Sequence, residues 1–173
     1  VPVYTEITYL ERIIHMKASL LAGAALLAIT IAAFGQGPPG SVPAKVGHAS
    51  FKFGSSQFSY DKVTGDFMQS YGFSVVMLNF SKDGKPASDH LTVSVMIQKA
   101  GAVDLNQPMG NGIGYFTGGK VFDYEKGKSQ CTMNVTKLTP TSVEGNAECP
   151  VVNDKFGQGK NSLTAVKFSA STN

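Results

Sequence analysis

The chain has 173 residues and a formal net charge of +3; from residue 36 onward its cations are thirteen lysines, the sole arginine, Arg12, lying upstream. Without the planar guanidinium fork that grips phosphate, carboxylate and guanine edges, specific nucleic-acid binding is not expected. The lysines are scattered, with "KGK" at 126–128 the densest group, which describes a solvated surface and leaves only a weak pull toward acidic surfaces.

Residues 1–15, "VPVYTEITYLERIIH", read as an upstream extension, because a better start follows at Met16. Lys17 supplies a charge, Ala18 to Phe34 carry none, and Ala33 and Gly35 stand at the spacing of a signal-peptidase site. Residues 16–35 are therefore expected to be a signal peptide cleaved before Gln36. The competing reading is a retained anchor, but that needs an uncharged run of about 18 residues or more, and 18–34 falls just short. The leader is the one helix expected and, if uncleaved, the one membrane contact. Export places the protein in the periplasm or outside the cell. There the two cysteines, Cys131 and Cys149, are expected to form a disulfide.

Residues 36–46 are rich in Pro and Gly and read as a flexible lead-in; 47–173 read as a single β-domain. Its strands show as period-two alternation. In "HASFKF" (48–53) Ala49, Phe51 and Phe53 share a face opposite His48, Ser50 and Lys52. "QFSY" (57–60) follows a Gly-Ser turn. "GDFMQSYG" (65–72) could hold one helical turn, and "GFSVVMLNF" (72–80) suits the middle of a sheet. In "LTVSVMIQ" (91–98) Leu91, Val93, Val95 and Ile97 share one face. "AVDLN", "GYF", "KVFDYE" and a last strand "LTAVKFSA" (163–170) complete the series. This spacing predicts an all-β fold: an antiparallel β-sandwich or small barrel of about eight strands. Strands this short and lysine-interrupted argue against an outer-membrane barrel.

"CTMNVTKLTPTSVEGNAEC" (131–149) carries the sharpest signal. With the turn centred on Pro140, Cys131 faces Cys149, Met133 faces Ala147, Val135 faces Gly145 and Lys137 faces Val143. Thr132, Asn134 and Thr136 then oppose Glu148, Asn146 and Glu144 on the polar face. Opposed antiparallel residues have Cα atoms about 4.5 or 5.5 Å apart, both within disulfide range. One register therefore satisfies the pattern and the bridge together, and the bond reads as structural.

No catalytic constellation stands out. "SDH" (88–90) has the letters of a triad, but a triad is assembled from distant segments, and these residues sit in a polar turn. His48 and His90 lack the tight pairing of zinc ligands, and "DLNQPMGNG" (104–112) is too poor in acids for a calcium loop. "GNGIGYFTGG" (110–119) lacks the helix that a phosphate-cradling loop opens, and reads as a turn, bulge or loop. Within it, Tyr115 and Phe116 are the candidates for the rim of a ligand or interaction site. The Phe and Met residues fill either a core or a pocket.

The reading is thus an exported, non-enzymatic binding or surface-interaction module needing no cofactor or metal, its partner a protein or a small apolar ligand. The alternative is a lipocalin-like carrier of a small apolar ligand. An enzyme with a dispersed site ranks third.

Overall fold

The computed structural model describes residues 40–85, 87–107 and 110–173. The upstream extension and the leader expected over 1–35 lie outside the described residues. Within them the chain forms twelve strands and no helix. In chain order they are β1 (Val42–Pro43), β2 (Val46–Phe53), β3 (Ser56–Tyr60), β4 (Lys62–Ser70), β5 (Phe73–Ser81) and β6 (His90–Ile97). β7 (Gly101–Val103), β8 (Gly112–Thr117), β9 (Lys120–Asp123), β10 (Gln130–Thr139), β11 (Ser142–Asp154) and β12 (Lys160–Ser171) follow. All pairings are antiparallel.

The all-β, antiparallel expectation holds, but the expected eight strands are twelve. The strands not expected are β1, which runs for only two residues, and β4, which covers the stretch where a helical turn is expected. Two residues are too few for alternation to register as a pattern. The sheet also begins inside the segment read as a lead-in, at Val42. The helical turn expected within 65–72 is instead the second half of β4 and its hairpin turn. Tyr71 and Gly72 both have positive φ, 49° and 81°, which is the backbone of the two-residue turn that joins twisted strands.

The strands run β1-β4-β5-β6-β8-β9-β11-β12-β2-β3, an open path, with β10 and then β7 attached beside β11. The long β11 takes β10 along most of one edge and β9 at the end of that same edge. The chain itself passes from one end of this path toward the other. The Ala44 N–H donates to the Gly65 carbonyl of β4, and the next amide, Lys45 N–H, donates to Ser171 of β12. Gly65 makes this corner possible. It has φ +133°, and a Cβ there would lie 1.9 Å from the Met77 carbonyl oxygen, so no larger residue fits.

Alternation puts Phe51 of β2, Leu78 and Phe80 of β5, Leu91, Val93 and Val95 of β6 and Tyr115 of β8 inside, all essentially inaccessible. The sheet folds so that β2 and β3 face β8 and β9. Phe51 meets Tyr115 with ring centroids 5.0 Å apart, and Phe53 meets Phe122 at 4.9 Å, both edge-on. At the centre the Tyr60 and Tyr115 hydroxyls share a hydrogen bond of 2.9 Å. Burial pushes both phenol pKa values up from the usual range, Tyr115 the more strongly, and the Asp89 carboxylate adds to both.

The 131–149 hairpin keeps its predicted register at its middle: Thr132 with Glu148, Met133 with Ala147, Asn134 with Asn146, Val135 with Gly145. Cys131 and Cys149 are joined as a disulfide, with Cα atoms 4.1 Å apart. Near the turn the prediction fails. Lys137 pairs with Glu144 rather than Val143, and Leu138 takes Val143. The loop is two residues, Pro140 and Thr141, which demands a pairing one step out of phase with the cysteines. A bulge at Thr136 absorbs the step and brings the Lys137 ammonium within 3.0 Å of Glu144.

Replacing both cysteines by alanine is expected to cost about 3 kcal/mol, the value of closing a loop of this size, read as a lower denaturation midpoint. Tyr115→Phe is expected to cost about 1–3 kcal/mol by stranding the Tyr60 hydroxyl, and the Tyr60→Phe/Tyr115→Phe double variant less than the sum of the singles. Because the folded phenols hold their protons where the unfolded ones lose them, their contribution is complete below about pH 10 and fades as pH rises beyond it. Denaturation of the double variant should accordingly show a flatter alkaline limb than the parent.

Candidate functional site

The face of β5, β6, β8 and β9 turned away from the core repeats in cross-strand rows. One row runs Ser81, His90, Phe116, Val121; the next Asn79, Thr92, Gly114, Asp123; the third Met77, Ser94, Gly112. Two consecutive outward positions of β8 are therefore glycines, and the sheet sinks to bare backbone between taller neighbours. The result is a half-open groove of about 360 Å³ lined by residues of β6, β8 and β9, with Asn111 and Tyr124 at one end. That volume is at the lower end of the range for small-molecule sites.

The glycines follow from packing as well as from the groove. A Cβ on Gly114 would come within 3.0 Å of both Asp123 Cβ and the Phe122 carbonyl oxygen. On Gly112 the nearest atom would be the Ser94 hydroxyl, at 3.2 Å, and a serine can rotate away. Gly114 is thus held by the backbone, whereas Gly112 can take a side chain at small cost.

At one end the His90 imidazole stacks on the Phe116 ring, centroids 5.1 Å apart and planes 16 to 23° from parallel being typical of this protein's two stacked pairs, with 23° here. His90 Nδ1 lies 2.8 Å from the Ser88 carbonyl oxygen. A carbonyl only accepts, so a proton sits on Nδ1, and in that tautomer Nε2 is left to accept. Thr92 donates its hydroxyl to Asn79 Oδ1 at 2.8 Å and keeps its lone pairs. The Ser94 hydroxyl has no hydrogen-bond partner among the described residues. Asp123 shares one carboxylate oxygen with the Lys155 ammonium at 3.5 Å. The far end is fixed: Asn111 accepts from the Met96 amide and donates to the Asp104 carbonyl, and the Tyr124 hydroxyl donates to Asn106.

The two rim candidates part company. The strand expected at "GYF" (114–116) extends over Gly112–Thr117 as β8, so of the segment read as a turn, bulge or loop Gly118 and Gly119, both with positive φ, make the turn. Neighbours on a strand point to opposite faces. Tyr115 is turned into the core, and Phe116 lies half-buried in the groove wall. "SDH" disperses: Asp89 accepts from the Thr117 hydroxyl and the Gly118 amide, Ser88 donates to Asp83, and His90 faces the groove. Sequence reasoning missed Thr92, Ser94, Gly112, Gly114 and Asp123. Alternate glycines at 110, 112 and 114 were the available signal, legible only once the segment is placed in a strand.

A second groove, of about 290 Å³, runs beside the Thr136 bulge and is lined by His48, Glu144, Asn146, Lys167 and Ser169 among others. His48 Nδ1 pairs with Asp61 Oδ1 at 2.6 Å, and Ser169 is its cross-strand neighbour. Serine, histidine and aspartate thus line up, yet no Ser169–His48 hydrogen bond joins them among the described residues. The pair is also open to water, at 49 and 78% side-chain exposure. An activated nucleophile needs that first bond and shelter from solvent. Among the described residues no group of three or more metal-ligating side chains gathers.

The chain matches no family model, no curated protein and no solved structure.

Phe116→Ala is expected to cost about 1–3 kcal/mol, from lost burial and ring stacking. In the NMR spectrum the His90 ring protons should move downfield as the ring current over them disappears.

Proposed function

We propose that this chain is an exported, non-enzymatic binding module that seats its ligand in the β6–β8–β9 groove. The observation that carries the reading is the groove's construction. Two glycines lower the floor of a strand paired on both sides, and around them stand acceptor groups with lone pairs to spare. Lone pairs on Ser94, on Asp123 and on His90 Nε2 answer no need of the fold.

Within this reading the folded-over sheet acts as a sandwich with a solid interior. The rings of Phe51, Phe53, Phe58, Tyr60, Tyr115 and Phe122 pack against one another across it, which supports a binding face over an internal carrier cavity. The Cys131–Cys149 disulfide fits an oxidising compartment and so supports export to the periplasm or beyond. The groove carries a carboxylate and no cluster of cations, which fits a partner other than nucleic acid.

Amide-resolved NMR titration of the disulfide-bonded chain with a small-molecule fragment library tests the reading. Shifts gathered on Thr92, Ser94, Gly112, Gly114 and Asp123, and abolished by Gly112→Val, are the expected result. Shifts spread over inward residues such as Leu91 and Val93 with apolar fragments would replace it by the carrier. Shifts that avoid the groove altogether would overturn it.

A further inference from the structure

The groove's chemistry also selects a class of ligand, and this step rests on the binding-module reading. We propose that it takes a neutral, hydroxyl-rich ring, a pyranose glycan.

The first support for it is hydrogen-bond sense. Facing the groove, Thr92 has its proton committed to Asn79, His90 has its proton committed to Ser88, and Asp123 is a carboxylate. All three can only accept, and Ser94 can do either. A matching ligand must bring several donors within a few ångströms of one another, as vicinal hydroxyls do. The second is charge. The Asp123 carboxylate repels phosphates, sulfates and carboxylate ligands, while Lys155, 56% exposed, already sits against it and weakens its pull on a cation. A neutral ligand avoids both costs.

The third is shape. Val121 and the stacked Phe116–His90 pair offer an apolar surface at one end, against which the C–H face of a sugar ring can lie. The glycine floor lets that ring approach the sheet closely. The fourth concerns the commonest competitor, an extended peptide. β6, β8 and β9 are each hydrogen-bonded on both sides along the groove, so no open ladder is available for strand addition. A peptide here would have to leave its own amide protons to the few side-chain acceptors.

The test is calorimetric and NMR titration of the full disulfide-bonded domain with neutral oligosaccharides of glucose, mannose, galactose and N-acetylglucosamine, beside a polyamine, a fatty acid and a basic peptide. Binding of at least one neutral series is expected, with shifts on Thr92, Ser94 and Asp123. Affinity should hold between about 0.05 and 0.5 M salt, because no ion pair is made. It should fall at least tenfold in Gly112→Val, which fills the floor, and in Ser94→Ala. His48→Ala, in the other groove, should leave it unchanged. If only the polyamine, the peptide or the fatty acid seats in the groove, and Gly112→Val blocks it, the glycan assignment falls while the binding-module reading stands. If the glycans bind but Gly112→Val is indifferent, the site is wrong. If no probe perturbs the groove, both readings fall together.

Discussion

A buried phenol sets the phase of β8, and much else follows from that phase. Tyr115 is sealed in the core with its hydroxyl bonded to Tyr60 across the fold. A phenol deprived of that partner would carry an unpaired polar group in an apolar interior, so the strand is not free to slip by one residue. With Tyr115 inward, Ile113 is inward too, and Gly112, Gly114 and Phe116 are thrown to the far side. The groove is thus the back of the core: the requirement that positions Tyr115 also positions the glycines and the aromatic wall.

The same parity argument governs the disulfide hairpin, where two demands conflict. Cys131 opposite Cys149 requires one phase, and a two-residue turn at Pro140–Thr141 requires the other. Neither side chain chemistry nor turn length can yield by half a step, so the mismatch is taken up as one unpaired residue. Thr136 is that residue, and it sits on the exposed face, where an interrupted ladder can still be satisfied by water. The bulge also carries Lys137 round to the polar face beside Glu144, away from the apolar face that the unbroken register would have assigned it.

How far the fold could be read in advance divides along the same line. Local alternation was legible: the inward Ala49 and Phe51, the inward Leu91, Val93 and Val95, and the central hairpin pairs all follow from period two and one covalent constraint. What was not legible depends on residues far apart. Nothing near Phe51 announces that it will meet Tyr115, and nothing near Ala44 announces that its amide will bond Gly65 while the next one bonds Ser171. Those contacts decide the sheet order, and single-sequence periodicity is blind to them. The glycine-rich segment failed for another reason. Glycine is a poor strand former by itself, so "GNGIGYFTGG" reads as turn or loop around a short "GYF" strand, whereas its neighbours on β6 and β9 hold Gly112 to Thr117 extended. Once it is extended, Tyr115 and Phe116 cannot share a rim.

A groove defined by missing side chains has no signature of its own in the sequence, and its physical consequences differ from those of a loop-built site. Its floor is backbone, hydrogen-bonded on both sides, and cannot rearrange without breaking the sheet. Its far wall is fixed by Asn111, which spends its amide on the backbone of Met96 and Asp104. Such a site pays little ordering entropy when a ligand arrives, which favours modest, shape-selective binding over induced fit. The adaptable groups are confined to the upper edge: the Ser94 hydroxyl, free to rotate, and the Asp123 carboxylate, free to exchange its contact with Lys155 for one to a ligand. Selectivity among ligands of similar shape should therefore reside in those two side chains, and the sheet beneath them should look the same whether the groove is filled or not.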